Sequence, residues 1–237
     1  MILDTKKTMT SLFGASTRTR VVSAKNAHNF NNIDDEVDNE GDIRVVKNNV
    51  YFYDDITKTS ILNLCEALTK LEKELLTIQS DYRLDTSPSI YLYINSQGGD
   101  AFAGLSAMSV IQNLKVPVVS IADGIVASAA TFLLLGADTR MIRKNSCILI
   151  HQIRTEFWGK YVELEDELKN SKNLMKSITR IYQSKSTLPK EKIDDLLKKE
   201  LYLTDKKCVR YGLVECIIWK FTLPQDSVLV EEPFNLF

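Results

Sequence analysis

A run of β-branched and aromatic residues that stops at a pair of glycines sets the terms for this chain. Ile90 to Ile94 reads IYLYI, a strand-length run, and it breaks at Asn95-Ser96-Gln97-Gly98-Gly99. Side chains of the first kind favour a pleated, half-buried surface. Adjacent glycines permit backbone conformations that other residues resist, so a turn there exposes backbone N–H groups. Ala101 to Leu114 (AFAGLSAMSVIQNL) then reads as a small-residue helix, and Val116 to Ile121 (VPVVSI) as a second buried strand. Strand, helix and strand in this order predict a parallel crossover unit, right-handed by default, and hence an α/β fold.

Beyond Asp123-Gly124, the segment Ile125 to Leu135 (IVASAATFLLL) is expected to be helical, with Ser128 in its first turn. A hydroxyl at a helix N-terminus lies where the dipole and free N–H groups favour developing negative charge. His151 closes the apolar strand Cys147 to Ile150. The chain has only two histidines, and His28 lies in a polar stretch, so a histidine base points to His151. Each feature also has a plain structural explanation. Ser128 in ASAA reads equally as a small residue that admits close helix packing, His151 as a hydrogen-bonded strand end, and Gly98-Gly99 as a turn. Their succession within one compact stretch is what favours an acyl-transfer site.

The flanks add less chemistry. Residues 1–42 are polar and carry no apolar core of signal-peptide length, so they are expected to form a flexible arm. Ile43 to Val46 and Val50 to Tyr53 read as a short strand pair. Asp55 to Gln79 has helical spacing, with Ile61, Leu64, Leu68, Leu71 and Leu75 on one face. Tyr161 to Ser186 reads as a long charged helix with Leu164, Leu168, Met175, Ile178 and Ile181 along one side. A short helix starts at Pro189, Thr204 is expected to cap another that Gly212 ends, and Glu215 to Ile218 is a last strand before a tail at 221–237. With 237 residues and 44% hydrophobic content the chain can bury a sizeable core. A formal net charge of -1 gives no footprint for nucleic acid or a membrane surface, and neither is expected as a partner. The four cysteines, Cys65, Cys147, Cys208 and Cys216, lack C-x-x-C spacing and are expected to be free thiols in a reducing, cytoplasmic setting, with no metal site and no cofactor.

Five blocks in order resemble the proteolytic subunit of the Clp protease, the ClpP family. They are YLYINSQGG at Tyr91 to Gly99, GIVAS at Gly124 to Ser128, FLLLGA at Phe132 to Ala137, NSCILIHQ at Asn145 to Gln152, and LYLT through YGLV at Leu201 to Val214. The resemblance spans about 49–218 and implies a ClpP/crotonase-like fold of repeated ββα units with a projecting handle helix, the protease domain occupying 43–220. It implies a serine endopeptidase that cleaves unfolded or extended polypeptides inside an oligomeric ring chamber. Ser128 falls on the nucleophile, His151 on the general base, and the N–H groups of Gly99 and Ala129 on the oxyanion hole; Gly98 and Gln152 fall on the peptide-binding strands. The family's third triad member is an aspartate, and the matching position here is Glu200, one methylene longer, with Asp194 and Asp195 as substitutes.

The same resemblance implies a homo-oligomer of stacked heptameric rings, fed by an AAA+ unfoldase that docks in apolar pockets on the ring edge. Tyr91 and Tyr93 fit such a pocket, but Asp123 and Arg143 stand where apolar residues are usual. An altered docking surface is expected, with Asp123 and Arg143 paired across adjacent strands. The N-terminal arm then reads as an axial gating loop or as a propeptide. Three other readings share the fold: a serine protease that matures viral capsids, a hydratase of the crotonase type, and a catalytically silent ring subunit.

Overall fold

Alternation with a period of two along β3 (Ile90–Ser96) sorts the protein into layers. Ile90, Leu92 and Ile94 point into the main core, which they share with α1 (Lys58–Asp81), α2 (Ala101–Asn113) and α3 (Ala130–Gly136). Tyr91 and Tyr93 point the other way, into a smaller cluster with Tyr51, Val119, Ile121, Met141 and Ile218. This computed structural model describes residues 43–219; the arm and tail expected at 1–42 and 221–237 lie outside the described residues.

Among the described residues the sheet has eight strands, and its main path runs β1-β2-β3-β4-β5-β8. β1 (Ile43–Val46) pairs antiparallel with β2 (Asn49–Phe52), and parallel pairings then link β2, β3, β4 (Val118–Ala127), β5 (Thr139–Arg143) and β8 (Cys216–Ile218). The expected α/β class and the βαβ unit β3-α2-β4 are both present. α1 forms where the spacing puts it: Ile61, Leu64, Leu68, Leu71 and Leu75 are all buried. Full burial of each such side chain contributes about 1.5–3 kcal/mol. Its first turn is closed by a reciprocal cap, Thr57 Oγ1 accepting from the Ser60 N–H at 3.0 Å and Ser60 Oγ accepting from the Thr57 N–H at 3.0 Å.

One expectation fails in an informative way. The chain does not turn into a helix after Asp123-Gly124: β4 runs on to Ala127, and α3 begins only at Ala130. Ser128 therefore precedes the helix instead of sitting in its first turn. The β-branched pair Ile125-Val126 stays extended because a new partner is available, β6 (Cys147–Leu149), which pairs with Ile125, Val126 and Ala127 while β5 pairs with the earlier residues Val119 to Ala122. Gly124, at φ 102, sits where β4 changes partner, and the register with β3 shifts between Ile94 and Ser96. β4 thus forks, and Ser128 stands at the end of the second prong.

The long helix α4 (Tyr161–Lys185) is divided along its length. Ile178, Thr179 and Tyr182 are buried, but Leu164 and Leu168 are exposed, so its leading half projects away from the sheet. α5 (Lys190–Leu197), β7 (Leu203–Thr204) and α6 (Asp205–Arg210) complete the described chain. Thr204 occupies the N-cap position of α6, yet its side chain makes no capping bond. Gly212 ends α6 at φ 66, with Gly212 N–H on the Val209 carbonyl at 2.9 Å and Leu213 N–H on the Cys208 carbonyl at 3.0 Å. All four cysteines are free thiols. Among the described residues no helix is long and apolar enough to cross a membrane.

Candidate active site

The fork in β4 brings the candidate residues together. β6 lies parallel to the second prong, with Ala127 opposite Leu149, and the Ser128 N–H donates to the Leu149 carbonyl at 2.9 Å. Ser128 and His151 therefore leave the same ends of two paired strands. Ser128 is held at φ 54, a left-handed conformation unfavourable for a residue with a Cβ. Its carbonyl accepts from the Thr131 N–H at 3.0 Å and from Thr131 Oγ1 at 2.6 Å, which closes the turn into α3.

Gly98 lies directly against this turn. A Cβ added there would stand 2.6 Å from Ser128 Cβ, 2.7 Å from the Ala127 carbonyl oxygen and 3.2 Å from the Ala129 nitrogen. Its backbone is fixed on both sides: the N–H donates to Ser96 Oγ at 3.1 Å and the carbonyl accepts from the Ile56 N–H at 2.8 Å. The Ile56 carbonyl in turn accepts from the Asp100 N–H at 2.8 Å. These bonds flank Gly99 and leave its own N–H uncommitted among the hydrogen bonds of the described residues. The Asp100 carboxylate then starts α2 by accepting from Phe102 and Ala103 N–H at 2.8 and 3.1 Å. Gly98 thus packs against Ser128 and Ala129, with Gly99 next to it in the chain.

His151 is half-buried, Gln152 is exposed, and the chain beyond them is tied to α5 by a Gln152 N–H bond to the Leu197 carbonyl at 2.8 Å. That bond brings Glu200, three residues past Leu197, into the electrostatic range of His151. Burial pushes the imidazole pKa below its usual value and the Arg154 charge pushes the same way, while Glu200 and the Gln152 backbone oppose them. Glu200 is exposed, and its carboxylate accepts from Arg154 Nη2 in an ion pair. That hydrogen bond and the Arg154 charge hold the Glu200 carboxyl below the usual carboxylate range, with the imidazole adding to the effect. Among the described residues no hydrogen bond joins Ser128 Oγ to His151 or His151 to Glu200. The two substitutes are engaged elsewhere, Asp194 with Lys190 and Asp195 with Lys199 at 2.8 Å.

Sequence reasoning did not anticipate two features of the site. One is Arg154, whose pairing depends on how the segment after His151 is pinned to α5. The other is Thr131, whose hydroxyl also bonds Tyr182 of α4 at 2.6 Å across 51 residues of sequence. On the opposite face of the sheet the expected pair is present: Arg143 Nε lies 2.8 Å from Asp123 Oδ1. Tyr53 adds to it by donating its hydroxyl to Asp123 Oδ2. Burial, with the Asp123 hydrogen bond and charge, raises the Tyr53 pKa well above that of a free phenol. The Arg143 guanidinium also lies over the Tyr93 ring, 5.6 Å from its centroid, and Tyr93 stacks on Tyr51 at 4.7 Å.

The forked parallel sheet holds Ser128 in a left-handed turn against the glycine pair, and comparison with known proteins shows the family to which this arrangement belongs. The Clp protease family model matches residues 46–220, and the chain belongs to that family. It is 34% identical over 146 residues to the ATP-dependent Clp protease proteolytic subunit of Oenothera elata subsp. hookeri, covering 60% of this chain and 57% of that protein. It is 33% identical over 154 residues to the ATP-dependent Clp protease proteolytic subunit 2 of Treponema denticola, covering 64% of this chain and 76% of that protein. The chain thus spans little more than half the length of the Oenothera relative. Among solved structures it resembles a point mutant of ClpP1 from Listeria monocytogenes with a TM-score of 0.63 and 25% identity, over 73% of this chain and 92% of that one.

Proposed function

We propose that this chain is the serine endopeptidase subunit of a chambered protease acting on unfolded polypeptides. The observation that carries this reading is Ser128, held at φ 54 at the end of one strand, while His151 follows two residues after its paired neighbour ends at Leu149. An extended peptide lies against the backbone around Gly98 and Gln152, an arrangement that gives affinity with little sequence choice. Ser128 Oγ attacks the scissile carbonyl as His151 takes its proton, and the Gly99 and Ala129 N–H groups receive the developing oxyanion. His151 returns the proton to the leaving amine, and water releases the acyl group. Glu200 holds the imidazole tautomer once it exchanges Arg154 for His151; its extra methylene gives it the reach to serve either partner.

Assembly into stacked heptameric rings is part of the same reading. Its support is the projecting half of α4 and the segment before it, where Trp158, Tyr161, Val162, Leu164 and Leu168 are exposed. Such a set on one projection favours a partner surface. The relatives' description as subunits of an ATP-dependent protease supports an ATP-driven unfoldase as partner. The Tyr53–Asp123–Arg143 network favours an altered docking surface for it. A second reading, a silent ring subunit, is favoured by the engagement of Glu200 with Arg154.

Hydrolysis of casein and of fluorogenic peptides by the assembled protein separates these readings. The endopeptidase reading expects cleavage that Ser128→Ala and His151→Ala abolish. Assembled rings that cleave neither substrate, with or without an unfoldase, would establish the silent subunit instead.

A further inference from the structure

A buried chain of hydroxyls connects the long helix α4 to the turn that carries Ser128. Thr131 is 1% exposed and Tyr182 2% exposed, so neither hydroxyl has water to fall back on. Thr131 Oγ1 lies 2.6 Å from the Ser128 carbonyl oxygen and 2.6 Å from the Tyr182 hydroxyl. A carbonyl only accepts, and a threonine hydroxyl has one proton. Thr131 therefore donates to Ser128, and Tyr182 donates to Thr131. Burial keeps the Tyr182 phenol protonated, as this direction requires.

The consequence follows from peptide geometry. The Ser128 carbonyl and the Ala129 N–H belong to one planar trans unit and point in opposite directions. Whatever fixes the carbonyl aims the N–H. Ser128 at φ 54 is not held there by its own preference, so the turn depends on its surroundings for its orientation. We propose that Thr131 and Tyr182 are positioning residues for the oxyanion hole: the Tyr182–Thr131–Ser128 hydrogen-bond chain sets the direction of the Ala129 N–H. This rests on the reading of Ser128 as nucleophile. Neither residue touches the substrate; both act through one peptide plane.

The test uses the full-length assembled protein, a fluorogenic peptide and a fluorophosphonate, with Thr131→Val, Thr131→Ser and Tyr182→Phe. Removing an oxyanion donor outright costs on the order of 100-fold or more in kcat. Here the Thr131 N–H still holds the Ser128 carbonyl at 3.0 Å, so the donor is loosened rather than lost. Thr131→Val is expected to lower kcat about tenfold and Tyr182→Phe about threefold, with KM unchanged, since an oxyanion contact forms chiefly in the transition state. Thr131→Ser, which keeps the hydroxyl, is expected to stay within about twofold of the parent. The rate constant for fluorophosphonate labelling of Ser128 should fall in parallel. A purely structural role would instead reduce the amount of labelled protein while the folded fraction reacted at the parental rate. Parental kcat and labelling rate in both Thr131→Val and Tyr182→Phe would overturn the proposal, as would a loss that falls on KM. If the parent itself takes no label at Ser128, it is the nucleophile reading that fails, and the proposal falls with it.

Discussion

Replacing Gly98 with alanine tests whether the approach of the glycine turn to Ser128 matters to the chemistry. A Cβ at Gly98 would stand 2.6 Å from Ser128 Cβ, whereas ordinary contact begins at 3.4 Å, so the two must separate by 3.4 − 2.6, or about 0.8 Å. The glycine backbone cannot supply the movement easily, because its N–H is bonded to Ser96 Oγ and its carbonyl to the Ile56 N–H. Ser128 is then displaced. Misplacing a reacting group by that order of distance costs about 100-fold in rate. The φ of 99 adds a backbone cost of about 1–2 kcal/mol, and overpacking adds about 1–3 kcal/mol. The expectation is kcat/KM for a fluorogenic peptide reduced about 100-fold, with stability lowered by about 2–5 kcal/mol in urea unfolding. Gly212→Ala is the control. Gly212 also has a positive φ of 66, and an added Cβ would lie 2.8 Å from Thr187 Cγ2, but it belongs to the cap of α6. It should lose stability and keep the parental rate per folded site. Gly98→Ala enzyme with parental kcat/KM would refute the reasoning.

The charges around His151 give a pH prediction of defined sign. Arg154 disfavours the imidazolium and Glu200 favours it, so Arg154→Gln should move the acid limb of the kcat/KM profile to higher pH and Glu200→Gln to lower pH. Histidine titration by NMR in the Ser128→Ala background checks both, and a shift of opposite sign in either would contradict the electrostatics. Because the folded state lowers the His151 pKa, the unfolded chain binds that proton more tightly. This group's contribution to stability is therefore complete above its unfolded pKa and falls as pH drops through the imidazole range. In the core, Leu64→Ala removes a side chain with 0% exposure and should cost about 2–5 kcal/mol in urea unfolding. Leu62→Ala, two residues away and 58% exposed, should stay within about 0.5 kcal/mol of the parent.

What the sequence revealed, and what it hid, follows from how local each determinant is. α1 was legible because five apolar residues at helical spacing all lie within one segment; its reciprocal cap, Thr57 with Ser60, went unread. The βαβ unit around β3 was legible for the same reason. The second prong of β4 was not: Ile125-Val126-Ala127 is a short apolar run that suits helix or strand, and what decides it is the arrival of β6 from 20 residues further on. α4 carries one periodic apolar stripe, but only the stretch around Ile178 and Tyr182 meets the core; Leu164 and Leu168 extend past it. The place of Ser128 and His151 just beyond the ends of neighbouring strands follows the order of the motifs. The company kept by Glu200 does not, because the Arg154 pairing is set by the Gln152–Leu197 backbone bond, a contact with no local signature. Asp123 and Arg143 were readable as a pair because they lie on adjacent strands, while Tyr53, two strands away on the far side of β3, was not.

The central claim is that Ser128 and His151 act on one substrate carbonyl, and a peptidyl chloromethyl ketone tests it in a single measurement. The serine oxygen adds to the ketone while a histidine nitrogen displaces chloride, so the inhibitor reports both residues at once. Mass spectrometry of the assembled protein should find the peptidyl group on His151, and Ser128→Ala should suppress that adduct. Alkylation confined to the free thiols, with His151 unmodified at full occupancy, would contradict the account.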